Sequence, residues 1–366
     1  NRYKKYMNEG CSIIEERIDK LIMDDGTFSQ YSVVYHRMIL DLLSILELFR
    51  QRYQGIRFSK RFYKKMKLAT NWYEKMIDPV SGGASNIGGN DGTYLFNYNE
   101  REYRDFRPTL SLISSIYNIP IRKELLSSHC ILDIFNIPSP SIKDSKKGSE
   151  NFSYGGYLNL SKSDGNAILR IPNYKFRPSQ CDALHLEIWH DGVNWVRGTG
   201  SYSYGAQIDV QEYFSGTKGH STVIFDDRNQ MPRISRFLFG NWLHPSYLNF
   251  DKLKNKASAG YVDSYKNIHN RSVKSTKNGW EVIDEMHGNF NFGTLRYILK
   301  PGKWDIKNNQ IQNKFVSIGI NSDSSFTFNL GSGYDSLYYM KKVKTSVLKI
   351  GFNTSCTIKT KIIFKY

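Results

Sequence analysis

Apolar residues recur at helical spacing through the first third of the chain and at alternate positions through the rest. Ile14, Ile18, Leu21 and Ile22 form one stripe, which Asp24, Asp25 and Gly26 end. Ser29 or Ser32 caps a second predicted helix, whose apolar face is Val34, Met38, Leu42, Ile45 and Phe49. A third helix is predicted to begin near Ser59 and to bury Phe62, Met66, Ala69 and Met76. A Gly- and Asn-rich stretch over 81–99 follows. Pro108 opens the next helix in its first turn, with Leu110, Ile113 and Ile116 on one face, and a last helical segment is predicted over 122–135. The Pro-, Ser- and Lys-rich segment 137–150 reads as a linker between a helical domain, 1–136, and a strand domain, 151–366.

Beyond the linker nearly every segment alternates. Turn dipeptides recur at Asp164-Gly165, Asp191-Gly192 and Pro301-Gly302, and 357–366 is a final predicted strand. Leu184, Leu186 and Ile188 alternate with His185, Glu187 and Trp189, the pattern of a strand with one buried face. Asp191-Gly192 supplies a tight turn and 193–196 returns. Gly198, Gly200 and Gly205, interleaved with Tyr202 and Tyr204, suggest close-packed backbone beside a polar aromatic face. Helices first and strands afterwards predict two separate domains of an α+β chain rather than a βαβ fold.

The apolar runs are far too short to cross a membrane; 38–49 is broken by Asp41, Ser44 and Glu47. The chain opens at Asn1 in what reads as the middle of a helix, so its true start, with any targeting signal, is expected upstream. The formal charge of +17, from 51 Lys and Arg against 34 Asp and Glu, attracts polyanions; a biased genome rich in Lys, Ile and Asn gives the same composition. The basic residues are scattered and no helix-turn-helix, zinc-finger or RNA-recognition signature is present, which argues against nucleic acid as the partner. Cys11, Cys130, Cys181 and Cys356 lie far apart without a CxxC pair, against a zinc ribbon or a disulfide framework.

Four blocks carry a resemblance. They are 25–41 (DGTFSQYSVVYHRMILD), 85–108 with SNIGGNDG and EYRDFRP, 177–205 (RPSQCDALHLEIWHDGVNWVRGTGSYSYG) and 219–236 (GHSTVIFDDRNQMPRISR). In that order they resemble the heparinase II/III-like family of polysaccharide lyases, and most closely its members from surface-polysaccharide gene clusters. The resemblance implies an incomplete (α/α) toroid followed by an antiparallel β-sandwich, with residues 1–136 as the later part of the toroid.

It also implies a reaction, β-elimination in a uronate polysaccharide. A base takes the C5 proton, acidic only when the neighbouring carboxylate is neutralised, and the O4 bond breaks. Tyr35 matches the family's catalytic tyrosine; on its residue type alone it is one of 25 tyrosines, packing at a helix start. A tyrosine serves as base or acid when nearby positive groups lower its pKa from about 10. His36, about 100° further round the helix, is assigned a supporting role. His220 matches a histidine that family members use near the catalytic centre or on a metal; as a lone strand histidine it is a core residue. Zinc-binding members place a histidine and an aspartate where this chain has Gln180 and Gly198, so no metal or other cofactor is expected.

Arg104 and Arg107 are candidates to grip a substrate carboxylate, or else to lock their loop through Asp105 or Glu102. Asn90 is a candidate for substrate binding and, with Asn86 and Asp91, shapes its loop; Arg177 and Tyr204 are candidates to line the cleft from the strand domain. No residue matches the family's carboxylate-neutralising asparagine or histidine. The expected function is therefore a lyase of an acidic polysaccharide. A non-catalytic glycan-binding or polysaccharide-assembly protein is the alternative, and a nucleic-acid or membrane-surface binder is a third class resting on charge alone. Oligomeric state and compartment are left open.

Overall fold

The computed structural model describes residues 2–95, 102–144, 148–307 and 310–365. Residues 96–99 of the Gly- and Asn-rich stretch, 145–147 of the predicted linker and Tyr366 of the last predicted strand lie outside them. The class is α+β, and the chain forms two compact units, Asn1–Ser85 with Gly92–Lys146, and Asn86–Asp91 with Lys147–Tyr366.

The first unit is built on α1 (Arg2–Leu21), α2 (Val33–Arg52), α3 (Lys60–Met76), α4 (Arg107–Tyr117) and the short α5 (Cys130–Ile134). Ser32 and Ser59 cap α2 and α3 by accepting the Tyr35 and Phe62 amides. The predicted α3 and α4 faces are all buried, and each such side chain contributes roughly 1.5–3 kcal/mol. Leu48, Leu112, Ile116, Ile131 and Leu132 form a core where α2, α4 and α5 meet.

Two expectations fail here. The predicted inward face of α2 holds only in part: Val34 is buried and Met38 and Ile45 are half-buried, but Leu42 and Phe49 are 45% and 49% exposed. The buried side instead mixes Val33, Leu40, Leu43 and Leu48 with His36, Arg37, Asp41, Ser44 and Glu47, a pattern that hydrophobic periodicity does not find. The segment 122–135 is not one helix: a 3-10 turn at Lys123–Leu125 and α5 are separated by extended chain, and the His129 ring caps α5 by accepting the Ile131 N–H at 3.1 Å.

The second unit holds α6 (Ile208–Ser215) and three antiparallel sheets. One large sheet runs Glu150–Phe152, Tyr157–Lys162, Gly165–Arg170, Leu186–His190, Val193–Arg197, Gly293–Leu299, Lys341–Phe352, Thr327–Tyr338, with Val223–Phe225 also paired to Gly293–Leu299. The other runs Asp305–Lys307, Gln310–Gln312, Val316–Ser322, Cys356–Phe364, Gly279–His287, Ile268–Thr276, Lys256–Val262, Pro245–Asp251. Arg233–Ser235 and Leu238–Phe239 make a small third sheet.

Asp191 and Gly192, at φ 45° and 76°, form the predicted two-residue turn between paired His190 and Val193. The turn predicted at Asp164-Gly165 is shifted by one residue: Lys162 pairs with Gly165, leaving Ser163 and Asp164 at the tip. The predicted strand from Leu184 begins at Leu186, because Leu184 has φ 54°, and all of Leu186–His190 is buried rather than one face of it. All four cysteines are free thiols.

Candidate functional site

Within the helical unit, Tyr35 is the third residue of α2. The Ser32 hydroxyl accepts its N–H at 3.1 Å, and its side chain is half-buried. His36 is fully enclosed. Its Nε2 donates to the Ala69 carbonyl at 3.0 Å, and its ring stacks on Trp72 and Tyr73 at 4.5 and 5.7 Å. Burial pushes its pKa down to about 3, so the ring stays neutral and packs the α2–α3 contact.

The two candidate arginines differ. Arg107 forks onto both carboxylate oxygens of Asp105, at 2.9 and 2.8 Å, the loop-locking arrangement. Arg104 donates to the Ala84 carbonyl and lies 4.9 Å over Phe106. A residue not singled out in the sequence organises the same region. Arg37 donates to the Tyr103 and Thr93 carbonyls at 2.6 and 3.1 Å, with its guanidinium 4.4–4.7 Å from the rings of Tyr94, Tyr103 and Phe106. One helical turn on, Asp41 is fully buried, with no well-formed hydrogen bond to either carboxylate oxygen among the described residues. Burial lifts its pKa to about 7, offset only in part by Thr109 and Arg37.

Within the strand unit, His220, Tyr204 and Asn90 gather along one segment, 198–205. The Thr199 N–H donates to the Gly219 carbonyl beside His220 at 2.9 Å, and Ser201 Oγ accepts the Asn90 N–H at 3.1 Å. Asn90 also donates to the Leu337 carbonyl at 3.3 Å, and Asn86 to that of Ser336 at 2.9 Å. Gly200, at φ 79°, lets Asn86 and the Ser336 carbonyl approach where a Cβ would collide. Tyr204 is half-buried; its amide donates to the Tyr339 hydroxyl at 3.1 Å, and its ring meets Phe237 and Tyr339 edge-on. Arg177 is exposed.

His220 Nδ1 donates to the Gly216 carbonyl at 2.8 Å, which leaves Nε2 as an unprotonated acceptor with no hydrogen bond among the described residues. Burial and the neighbouring His185, at 5.2 Å between ring centroids, hold its pKa near 4. His185 is fixed in the other tautomer: its Nδ1 accepts the Ser221 N–H at 2.9 Å, so Nε2 donates to Glu187 Oε1 at 3.3 Å. Burial raises the Glu187 pKa, but His185, the Gly198 amide and Asn194 together hold it below the ordinary carboxylate value.

Below this cluster lies a fully buried charge network. Arg271 and His269 both donate to Asp284 Oδ1 at 2.7 Å, and Arg271 also donates to the Leu184 and Ser221 carbonyls at 2.6 and 2.7 Å. The Ser221 hydroxyl donates to Arg197 O at 2.8 Å and accepts Ile298 N–H at 2.9 Å, so the residue after His220 is held at every polar atom. Sequence reading missed this brace. Its only trace was two strands, 268–276 and 279–287, carrying His269, Arg271 and Asp284 at inward positions.

The two zinc-site replacements are accounted for locally. Gln180 donates to Gly88 O and Ser201 Oγ, at 3.3 and 3.4 Å. At Gly198 a Cβ would stand 3.3 Å from His185 Nε2. Among the described residues no three His, Cys, Asp or Glu side chains gather in a way that could hold a metal ion, and no helix is long and apolar enough to cross a membrane.

Residues 144–305 match the family model described as heparinase II/III-like, C-terminal. Among solved structures, a heparinase III gene product superposes with TM-score 0.75 at 15% identity, over 98% of this chain and 55% of that one. Heparan sulfate lyase HepC from Pedobacter heparinus gives 0.73 at 17%, over 97% and 56%. The chondroitin AC lyase of Streptomyces coelicolor A3, in complex with chondroitin sulphate, gives 0.58 at 10%, over 94% and 54%. At these identities the likeness is one of fold, and the chain spans a little over half the length of each structure. No curated protein matches the sequence. The similarity to the heparinase II/III-like family is thus carried in sequence by residues 144–305 and in fold by nearly the whole chain.

Proposed function

We propose that the protein acts on an acidic, uronate-containing polysaccharide as a lyase, by metal-independent β-elimination, with Tyr35 as the proton-transfer residue. In this reading the Tyr35 oxygen takes the C5 proton, protonates O4 as the glycosidic bond breaks, or does both in turn. His220 assists by accepting from the sugar at Nε2. Asn90 and Tyr204 line the sugar path along segment 198–205, which also bonds the backbone beside His220. Arg104 and Arg177 supply positive charge, whereas Arg107 serves Asp105 and the loop.

The observation that carries the reading is the state of His220. Its N–H is committed to Gly216, its ring is neutral, and the next residue is braced through Ser221 and Arg271. His36 keeps the same kind of spare nitrogen inside the helical core, so what distinguishes His220 is its place beside segment 198–205, which carries Tyr204 and holds Asn90. The names of the similar structures, lyases of heparan sulfate and chondroitin among them, support the choice of substrate class.

The test is the ultraviolet absorbance of unsaturated uronate product from a panel of acidic polysaccharides. Tyr35→Phe is expected to lower the rate by about 10²–10⁴-fold, the usual contribution of a positioned proton-transfer group. Product formation unaffected by that change would remove Tyr35 from its role. A folded protein that yields no product from any acidic glycan would leave the binding or assembly function in its place.

A further inference from the structure

Strand Val193–Arg197 carries the Glu187-binding Asn194 on one side, and Trp195, the next residue, turns to the other. On that other side is a cavity of about 400 Å³, lined by Trp195, Trp304, Phe315, Lys300, Lys303 and Lys314 among others. The size lies in the lower part of the range for small-ligand pockets, about 300–1,000 Å³. Trp304 and Phe315 stand 6.1 and 5.9 Å from the Trp195 ring, so three aromatic groups form its walls. The Trp304 indole donates to the Lys300 carbonyl at 2.9 Å and the Lys300 amide donates to Trp195 O at 3.0 Å, which holds the walls together.

The polar groups of this pocket are unbalanced. Lys303 has Asp305 at 3.7 Å, but Lys300 and Lys314 have no acidic partner among the described residues; their ammonium groups lie 5.6 and 4.7 Å from the Trp195 and Phe315 ring centroids. The Trp195 Nε1 is buried and finds no acceptor among the described residues, an uncommon condition for a tryptophan N–H. Two unpaired cations and apolar ring surface together describe a host for something flat, partly apolar and anionic. A pyranose ring with a carboxylate or sulfate has those features, since its C–H face packs on aromatic rings.

We infer that the Trp195–Trp304–Phe315 pocket binds an anionic sugar unit of an acidic polysaccharide, as a binding site separate from the His220 cluster. The sugar's charged group is held between Lys300 and Lys314. The inference rests on the acidic-polysaccharide reading above for its choice of ligand, but not on the elimination chemistry.

The experiment titrates the intact chain with heparin oligosaccharides, alginate oligosaccharides, cello-oligosaccharides and a single-stranded DNA oligonucleotide, by calorimetry and tryptophan fluorescence. The Lys300→Ala/Lys314→Ala double variant is compared with Lys274→Ala/Lys277→Ala, which removes the same charge from exposed positions elsewhere. The pocket pair is expected to weaken acidic oligosaccharide binding by at least about tenfold, the loss of one charge-assisted hydrogen bond, and the control pair by less than about twofold. Heparin against alginate then shows whether sulfate or carboxylate is preferred. Trp195→Phe, which keeps an aromatic wall, is expected to weaken binding less than the pocket lysine pair does, and thermal midpoints verify folding of each variant.

Equal weakening by both lysine pairs, equal affinity for cello-oligosaccharides, preference for the DNA, or no binding of any acidic oligosaccharide would each overturn the inference. Pocket-dependent binding without unsaturated product would instead sink the elimination reading and leave the pocket standing. Product formation with binding indifferent to Lys300 and Lys314 would do the reverse.

Discussion

Asp41 in the helical unit and Asp284 in the strand unit are both fully buried, and each has an arginine as its near neighbour. Arg271 sits directly opposite Asp284 on the adjacent strand and closes on it at 2.7 Å, while His269 supplies a second donor. Arg37 lies one helical turn before Asp41 but gives its N–H groups to the Tyr103 and Thr93 carbonyls. Burial raises both carboxyl pKa values. In Asp284 the paired charges outweigh it and the net shift is downward, whereas Asp41 rises to about 7. Burial alone therefore does not set the charge of a group. What decides it is whether the neighbouring cation is spent elsewhere.

The largest effect is expected from breaking the satisfied pair. Arg271→Leu leaves Asp284 as a buried charge held only by His269 and the Tyr297 hydroxyl, strips the Leu184 carbonyl of its donor and leaves that of Ser221 with the Leu186 N–H alone. The loss should be about 3–5 kcal/mol in urea unfolding, with His220 losing its brace as well. If the cost is instead that of an ordinary surface change, the network does not hold the unit together.

The converse change at Asp41 should stabilise. Its folded pKa, about 7, exceeds its unfolded value, about 4, so the native state holds the extra proton between them, and stability falls as pH rises through that window. Asp41→Asn removes this penalty and should be more stable than the native chain at pH 8, and closer to it at pH 4. The gain is at most a few kcal/mol, since each tenfold change in proton affinity is worth about 1.4 kcal/mol. His36, on the same helix, has the opposite sign. Its folded pKa of about 3 lies below its unfolded value, so its stabilising contribution is present above about pH 6.5 and is lost as pH falls toward 3. The two slopes oppose each other in the native chain, and Asp41→Asn should expose the acid lability of His36 in a pH series of unfolding midpoints. The smallest effect is expected at an exposed pair, Arg61 with Asp19, where Asp19→Asn should leave the midpoint unchanged within error.

The same contrast explains what the sequence disclosed. Turn and cap chemistry is local, so Ser32, Ser59, Pro108 and Asp191-Gly192 all stand where their residue types imply. The inward face of α3 was legible because Phe62, Met66, Ala69 and Met76 are apolar. That of α2 was not, because Val33, Leu40, Leu43 and Leu48 share it with His36, Arg37, Asp41 and Ser44, and a helical period does not reveal the burial of polar residues. At the candidate site, motif resemblance singled out Tyr35 and His220. It could not show that Arg107 is occupied by Asp105, nor that Ser221 is clamped from a strand some fifty residues further along. The Trp195 pocket is of the same kind, assembled from 195, 300–305 and 313–315 only once strands pair.

The bond from the Ser221 amide to the His185 ring has a practical consequence. An amide held by a side-chain nitrogen, rather than by a neighbouring carbonyl, is protected from exchange only while that side chain stays in place. Ser221 is thus an internal reporter. Its deuterium uptake, compared between the native chain and His185→Phe, reads out whether the ring packed against His220 is seated, without any label on either ring.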